Sequence, residues 1–297
     1  MQSNVLAVLF ALASAMTLAW GTVVRHRIAS AAPENTEPLK DIPIFSVVKN
    51  LQWWAGTGTA FLGYGFQVVA LSFGTLLVVQ PILVLSLMFT LPLSAYYDGR
   101  KPTVSDLAWS GILSCAVAVL VILGKPSPGE LQPSLNVWIP AVGIGAVLLG
   151  ILYWLAFFCS KRARAILLGI VTSAIFGYVA VLSKATVNIA MHQGIVGLVT
   201  NWEPLGVLVA ATLATAMQQS SFHADSLENS LPTMTITGPI VAFTLGYLVL
   251  GEKLQASGWE WLWIALSLAA MITATFALSR NSARRQQREK RQLAAAT

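Results

Sequence analysis

Long runs of apolar residues, separated by short polar segments, make up most of this chain. The runs are continuously apolar and do not alternate at every second position, which favours membrane helices over barrel strands. A helix needs about 20 apolar residues to cross the hydrocarbon layer. Such stretches lie at 4–24, 53–71, 75–96, 107–123, 137–158, 166–188, 204–222, 231–250 and 261–278. The pattern predicts an all-α polytopic membrane protein with about nine transmembrane helices, although hydropathy alone leaves eight or ten open.

One order of features occurs twice, in 75–123 and in 231–278. Each copy has an apolar helix that contains prolines, then a charged corner, then a second apolar helix. The prolines are Pro81 and Pro92 in the first copy and Pro232 and Pro239 in the second, and the corners contain Asp98 and Glu252. Apolar segments that proline interrupts at corresponding places are typical of transporters built from inverted repeats. We therefore expect helix breaks at these four prolines.

The composition excludes an ordinary soluble domain. Charged residues make up 10% of the chain and apolar residues 56%, and the mean hydropathy is +0.70. Soluble domains have about 25% charged residues. Cys115 and Cys159 lie in or beside apolar stretches, so we expect two inert thiols. The first apolar run is long and follows no basic residue, so it is not expected to be a cleavable signal peptide.

The distribution of Lys and Arg predicts the orientation. With nine helices and the N-terminus outside, fifteen basic residues lie on the inner side, within 25–49, 100–101, 161–164 and 280–291. Only Lys125 and Lys253 then lie outside. This bias follows the positive-inside rule and favours nine helices. We expect a multi-pass protein of the cell membrane with a cytoplasmic C-terminus.

These features divide the chain into three parts. Residues 1–160 form a first repeat of five helices with a cytoplasmic loop at 26–50, and residues 161–279 form a second repeat of four helices. Residues 280–297 form a basic cytoplasmic tail, which is expected to contact anionic membrane lipid. Nucleic-acid binding is not expected, because no folded reading module accompanies the tail.

Two ionisable residues lie in or close to the apolar runs, where charges usually face a cavity or a partner. Lys184 is near the outer end of the sixth predicted helix, and Glu203 is at the outer start of the seventh. They could form an ion pair at the outer mouth, or bind a charged substrate, and Glu203 alone could carry a proton or a cation. The structural alternatives are that Glu203 marks a helix start and that Lys184 extends to the headgroups.

Several neutral polar side chains lie close to the proline-bearing helices. A proline at membrane depth frees the carbonyl four residues earlier, which then needs a side chain, a water or a ligand as partner. The simpler interpretation of each polar residue is a hydrogen bond between helices, worth about 0.6 kcal/mol. As a set they are the predicted lining of a central substrate cavity: Tyr64, Gln67, Gln80, Gln218 and Thr235.

Signals of enzymatic chemistry are weak. Gly124-Lys125-Pro126 follows no phosphate-binding loop, and the three histidines are isolated from one another, without the spacing of metal ligands. The chain is therefore not expected to be an enzyme, and we expect neither a resident metal nor a cofactor.

The inverted halves and the corner Leu250-Gly251-Glu252-Lys253-Leu254 resemble the drug/metabolite transporter superfamily of EamA-like proteins, in which an acidic turn commonly follows the third helix of a repeat. Asp98-Gly99-Arg100 would be a diverged copy of that corner. Nine helices with an outer N-terminus resemble the branch of NIPA-like magnesium transporters. The resemblance covers nearly the whole chain, and its motifs are short.

The resemblance implies alternating-access transport of a small solute through a cavity between the halves. We expect a small organic metabolite or drug-like solute. Magnesium ranks lower because it prefers hard oxygen ligands, and Glu203 is the one acid among the candidates. A flippase for a lipid or lipid-linked sugar and a non-transporting membrane scaffold are further alternatives. A homodimer is compatible with all of these functions.

Overall fold

A computed structural model describes residues 4–31, 51–97, 103–130, 132–224 and 227–296. These residues are almost entirely helical. The helices are α1 (Asn4–Ala31), α2 (Leu51–Phe73), α3 (Leu76–Val84), α4 (Ser86–Tyr97), α5 (Val104–Gly124), α6 (Leu135–Ala156), α7 (Lys161–Thr200), α8 (Glu203–Ala224), α9 (Leu227–Leu248) and α10 (Glu260–Ala296). The predicted loop at 26–50 and the corner at Asp98 lie largely or wholly outside the described residues.

Six described segments are long and apolar enough to cross a membrane, which confirms an all-α polytopic membrane protein. They are Asn4–Val24, Leu76–Tyr96, Val104–Gly124, Leu135–Ala156, Lys161–Thr200 and Glu260–Arg285, and a shorter apolar helix covers Gly58–Phe73. α8 and α9 do not belong to this set. The prediction of nine crossings and of two inverted repeats therefore stays a prediction.

The first helices pack through small residues. Alanines recur every four residues along α1, so they share one face, and Ala7, Ala11 and Ala15 are fully buried. Ser14 Oγ donates to the Gly63 carbonyl of α2 at 2.7 Å. A Cβ on Gly74 would collide with that of Ala7. Small side chains thus let the two helices approach closely.

The chain changes course between α2 and α3, at Gly74 and Thr75. α3 is short and surrounded by protein, with eight of its nine residues buried. Its apolar residues belong to the main core of the bundle, and α1 and α9 pack against it. The start of α3 is therefore held inside the protein and not at a lipid surface.

The prediction that all four prolines break their helices is wrong. α9 continues through Pro232 and Pro239, and α4 continues through Pro92. Only Pro81 precedes an interruption, at Leu85, where the amide bonds the Ile82 carbonyl at 3.0 Å.

α7 packs closely against the part of α9 that contains Pro239. Ser173 Oγ of α7 donates to the Met234 carbonyl, one residue before the Thr235 carbonyl that Pro239 leaves free. A Cβ on Gly177 would lie 2.8 Å from the Val241 side chain. Glycine at this position therefore lets the donor helix come near enough.

Two connecting segments pair at one end of the bundle, which we call the loop end: residues 125–130 and 249–257. Ser127 and Lys253 form an antiparallel bridge, with Ser127 N donating to Lys253 O at 2.8 Å. Lys125 Nζ lies 3.2 Å from Glu260 Oε1 at the start of α10. Lys125 and Lys253, which the positive-inside rule predicts to lie together on the outer side, thus lie at one end of the protein.

At the opposite end, α5 and α10 are joined by a charged cluster. Thr103 and Asp106 form a capping box at the start of α5. The Asp106 carboxylate also accepts from Arg285 and, at 3.2 Å, from Asn281 Nδ2. The Asp106 side chain is 2% exposed and that of Arg285 is 21% exposed. This ion pair fixes the start of α5 against the last helix.

Candidate functional site

The corner between α2 and α3 brings two helix ends into the interior near the loop end. The last carbonyls of a helix carry partial negative charge, and its first amides carry partial positive charge. Neither set has partners within its own helix. Buried helix ends of this kind need side chains of the opposite charge, and the structure supplies one for each end.

Lys184 satisfies the end of α2. Its ammonium Nζ donates to the Leu71 carbonyl at 2.5 Å and to the Gly74 carbonyl at 2.8 Å. The lysine comes from the middle of α7 and is only 7% exposed. It therefore does not extend to the membrane surface, and the headgroup interpretation of this residue is wrong.

Glu252 satisfies the start of α3 from the second half of the chain. Its Oε1 accepts from the Leu76 amide at 2.9 Å, and its Oε2 accepts from the Leu77 amide at 3.0 Å. The carboxylate is 1% exposed. A carboxylate with two backbone donors at a helix N-terminus is a favourable arrangement, because the bonds are charge-assisted and aligned with the helix dipole.

Thr75 occupies the N-cap position of α3 but does not cap it. Its backbone is extended, with φ −83° and ψ 158°, as an N-cap requires, yet its side chain makes no cap hydrogen bond. The hydroxyl is buried, and it has no hydrogen-bond partner in the described part of the chain. Glu252 has taken the role that the threonine would ordinarily have.

The loop end holds Glu252 in place through its backbone. Gly251 has φ +66°, a conformation that favours glycine. The Glu252 amide donates to the Gly246 carbonyl at 3.1 Å. Glu130 N donates to the Leu250 carbonyl at 2.6 Å, and a Cβ on Gly129 would collide with that same carbonyl. The segment 125–130, which we call the covering loop, therefore fits against the acidic corner at Glu252 with no space for a residue larger than glycine at position 129.

A small cavity of about 10 Å³ lies among these groups. Its lining residues include the polar residues Thr75, Glu130, Lys184, Asn188 and Glu252, together with Pro128, Gly129 and Leu250. This is about the space that one water molecule needs, and such a site also requires two to four polar partners. The α2–α3 corner with Lys184 and Glu252, which we call the charged corner, thus adjoins a space of about the size of one water molecule beneath the covering loop.

The environment of Glu252 changes its acidity. Burial raises the pKa of the Glu252 carboxyl, while the Leu76 and Leu77 amides and the charge of Lys184 lower it, and the pKa is raised from 4.5 to about 7. Desolvation is the largest cause. This carboxyl group therefore changes its protonation state near neutral pH.

The predicted ion pair between Lys184 and Glu203 is not formed. Lys184 interacts electrostatically with Glu252 instead. Glu203 lies in the first turn of α8, as the helix-start interpretation predicted, and is 2% exposed. Its Oε2 has no hydrogen-bond partner among the described residues. Next to it, the Trp202 ring meets the Trp138 ring edge-on at 5.2 Å.

The predicted cavity-lining side chains have separate surroundings, and none of them lines the charged cavity. Tyr64 Oη and Ser183 Oγ are 2.6 Å apart, which links α2 to α7 beside Lys184. Thr235 Oγ1 donates to Ser279 Oγ at 2.8 Å. Gln80 is 6% exposed, and within the described chain its Nε2 has no partner. Gln67 and Gln218 are partly buried on α2 and α8.

Sequence reasoning missed the roles of Thr75, Asn188 and Glu252. Asn188 lies one turn after Lys184 on α7, so the spacing of these two polar residues was a usable signal. Glu252 was noticed only as part of a corner motif. Its role depends on contact with residues 176 positions earlier, which no local pattern reveals.

Apolar spaces also lie elsewhere in the described bundle. One, of about 190 Å³, has Pro81 and Pro239 in its lining, together with residues of α10. Another is a groove of about 450 Å³ between α6, α7 and α8, whose lining includes Tyr153, Ile175 and Ala210. Among the described residues, no group of three or more His, Cys, Asp and Glu side chains could hold a metal ion.

Comparison with known proteins gives one informative relative. No protein-family model matches the chain, and no solved structure matches it. A protein of Corynebacterium glutamicum, described only as uncharacterized, is 54% identical over 282 residues, which cover 95% of this chain and 97% of that protein. The similarity therefore extends over both halves of the chain. The chain belongs to the same family as this Corynebacterium glutamicum protein.

Proposed function

We propose that this protein is a secondary transporter that moves a small organic metabolite or drug-like solute across the cell membrane by alternating access. The observation that carries the proposal is the buried pair of charges at the loop end. Ionisable residues inside membrane proteins are costly and mark ion or substrate pathways by default. Lys184 and Glu252 are both buried beside a polar cavity.

These charges also connect the two predicted repeats. The α2–α3 corner belongs to residues 1–160, whereas Lys184 and Glu252 belong to residues 161–279. In transporters made of two repeats, one repeat moves against the other around the substrate site. Any such movement here would have to break or rearrange the bonds of Lys184 and Glu252. The charged corner is therefore suited to act as a gate at one end of the pathway.

The proposed topology has nine crossings, an outer N-terminus and a cytoplasmic C-terminus. The pairing of the segments that contain Lys125 and Lys253 supports it, because both fall on the outer side in that arrangement. The cluster around Asp106 and Arg285 then lies inside. Membership of the drug/metabolite transporter superfamily is part of the proposal and rests on the corner motif and the repeated order of helices.

A transport assay on the full chain tests the proposal. The purified protein is reconstituted in liposomes, and uptake of labelled amino acids, nucleosides and amines is measured against protein-free liposomes. We expect uptake of at least one class, its loss in Lys184→Met, and its retention in Lys253→Met, a control at an exposed lysine. Uptake that is equal in all three proteins would contradict the role of the buried charge.

Magnesium transport is tested in the same liposomes. The buried Glu203, whose Oε2 is unpartnered among the described residues, is its best candidate ligand. A magnesium flux that Glu203→Gln abolishes would favour the cation branch. Retained flux of an organic solute in the same variant would favour the main proposal.

Lipid translocation is the second candidate, and the groove between α6, α7 and α8 favours it. The groove is almost entirely apolar and has the volume typical of a ligand site. Filling it with Ala210→Trp is expected to abolish scrambling of a fluorescent phospholipid. Leu205→Trp is the matched control, because Leu205 is 64% exposed on the same helix. No scrambling by the native chain would reject this candidate.

A further inference from the structure

We propose that Glu252 is the proton-binding site of the transport cycle, and that a bound proton transfers the cap of α3 from Glu252 to Thr75. This inference rests on the proposed transport function, and it names the coupling ion and the residue that binds it. Three features carry it: two caps compete for one helix end, a polar cavity adjoins both, and the bonds join the two halves of the chain.

The competition is visible at the first turn of α3. Thr75 has the backbone conformation of an N-cap, and a threonine in this position ordinarily accepts from the second or third amide of the helix. The second amide, of Leu77, is bonded to Glu252 Oε2 instead. The Thr75 hydroxyl has no partner among the described residues, although the residue is 1% exposed. Thr75 is therefore positioned to cap α3 but makes no cap hydrogen bond.

A proton changes the balance between the caps. The ionised carboxylate of Glu252 accepts from two amides at once, one at each oxygen. A proton bound to Oε2 makes that oxygen an O–H donor and weakens it as an acceptor. The Leu77 amide, which Oε2 accepts from, then has a weaker partner, and the adjacent hydroxyl of Thr75 can replace it as an N-cap. The proton comes from a hydronium ion, whose O–H bond breaks to leave a water molecule as the carboxyl O–H bond forms.

The surroundings of Glu252 permit this exchange. The charged groups that share its cavity are Lys184 on α7 and Glu130 in the covering loop, while α3 presents only the backbone of Leu76 and Leu77. Lys184 favours the ionised form, and burial disfavours it more strongly. The carboxyl group therefore binds and releases protons within the physiological range, next to a cavity that one water can fill.

The exchange of caps would weaken the contact between the two predicted repeats at the start of α3. While Glu252 holds α3, the second half is bonded to the first at the loop end. Once Thr75 caps its own helix, only the Leu76 amide still needs Glu252 as a partner. Proton binding thus favours separation at the loop end, and proton release favours closure. Thermodynamic linkage requires the converse, that loss of the Leu76 and Leu77 bonds raises the proton affinity of a Glu252 carboxyl that stays buried, because those two amides lower its pKa in the closed state.

Hydrogen exchange on the full chain in lipid nanodiscs tests the cap exchange without any transport substrate. Protection of the peptide that contains Leu76 and Leu77 is measured from pH 8.5 to pH 5.5, corrected for the intrinsic pH dependence of exchange. We expect protection in the native chain to fall about tenfold as the pH is lowered through 7, because proton binding weakens the Glu252 cap. Glu252→Gln should remove this dependence, and Glu130→Gln, a control in the same cavity, should keep it.

A second variant keeps the test decisive if Glu252→Gln does not fold. Thr75→Val retains the glutamate but lacks the replacement cap, so its low-pH loss of protection should be larger than that of the native chain. Protection that does not depend on pH in the native chain, or an equal loss in native and Thr75→Val proteins, overturns the proposal.

Flux measurements separate this proposal from the proposed function. Solute uptake that does not respond to an imposed pH gradient, in native protein or in Glu252→Gln, overturns proton coupling and leaves transport standing. Cap exchange that follows Glu252 in nanodiscs, with no solute flux in liposomes, supports the proton site and overturns the transport function.

Discussion

Glu252 caps a helix that begins at Leu76, 176 residues earlier in the chain. The same corner is held from its other side by Lys184, which binds the last carbonyls of the preceding helix. One acidic and one basic side chain thus satisfy two buried helix ends whose own sequence provides no charge. Four separate segments meet at this point, including the covering loop at Glu130.

The stability of the native protein should fall as the pH rises from about 4.5 to about 7. The folded-state pKa of Glu252 is raised from 4.5 to about 7, so the folded protein binds this proton more tightly than the unfolded chain. Its contribution is fully present below pH 4.5 and is lost as the pH rises through 7. The difference is on the order of 3 kcal/mol. Thermal unfolding in detergent across this range measures it.

Glu252→Gln should remove this pH dependence. The amide side chain keeps an acceptor for one amide of α3 and does not ionise. Relative to the native protein, the variant should gain stability at pH 8 and gain none at pH 4.5. An identical slope of unfolding temperature against pH in both proteins would contradict the assignment.

Lys184→Met should destabilise the protein by about 1–3 kcal/mol, because two buried carbonyls lose their charged donor. It also leaves the charge of Glu252 without its basic partner. Lys253→Met is the control, since Lys253 is exposed and its backbone, not its side chain, forms the loop bridge. Unfolding in mixed detergent micelles compares the two, and equal stabilities would refute the role of Lys184.

Gly129→Ala should separate the covering loop from the acidic corner. A Cβ at this position collides with the backbone of Leu250 and lies 2.7 Å from the Glu252 amide nitrogen, so the loop must move. We expect a loss of about 1–3 kcal/mol, as for other overpacked sites, and faster hydrogen exchange at the start of α3. Gly143→Ala has open space around its Cβ and serves as the control. Loss of stability in the control alone would contradict the packing described for Gly129.

Asp106→Asn should weaken the attachment of α5 to α10 by about 1–3 kcal/mol. The aspartate side chain is 2% exposed and bonds Thr103, Asn281 and Arg285; removing its charge leaves a partly buried arginine without its partner. Glu260→Gln, in the exposed pair with Lys125, should have no measurable effect. Thermal unfolding of both variants checks this contrast. A larger loss of stability in Glu260→Gln than in Asp106→Asn would contradict it.

The sequence predicted the membrane class and the unusual position of Lys184 because both depend on local composition. A buried lysine in an apolar run stands out without any knowledge of its neighbours. The repeated corner also pointed to the segment around Glu252. The four prolines were a misleading signal of helix breaks, because α9 and α4 continue through theirs. A membrane helix tolerates proline where its surroundings accommodate the freed backbone groups, and those surroundings depend on packing.

The apolar runs by themselves determined that this chain is helical and membrane-embedded, since a backbone in hydrocarbon must satisfy its own hydrogen bonds. The tertiary structure alone decided that Lys184 serves the end of α2 and not Glu203, and that Glu252 displaces Thr75 as the cap of α3. Helix periodicity records which residues are apolar, but it carries no information on which distant side chain reaches a buried helix end. Only the packing of both halves of the chain settles those partners.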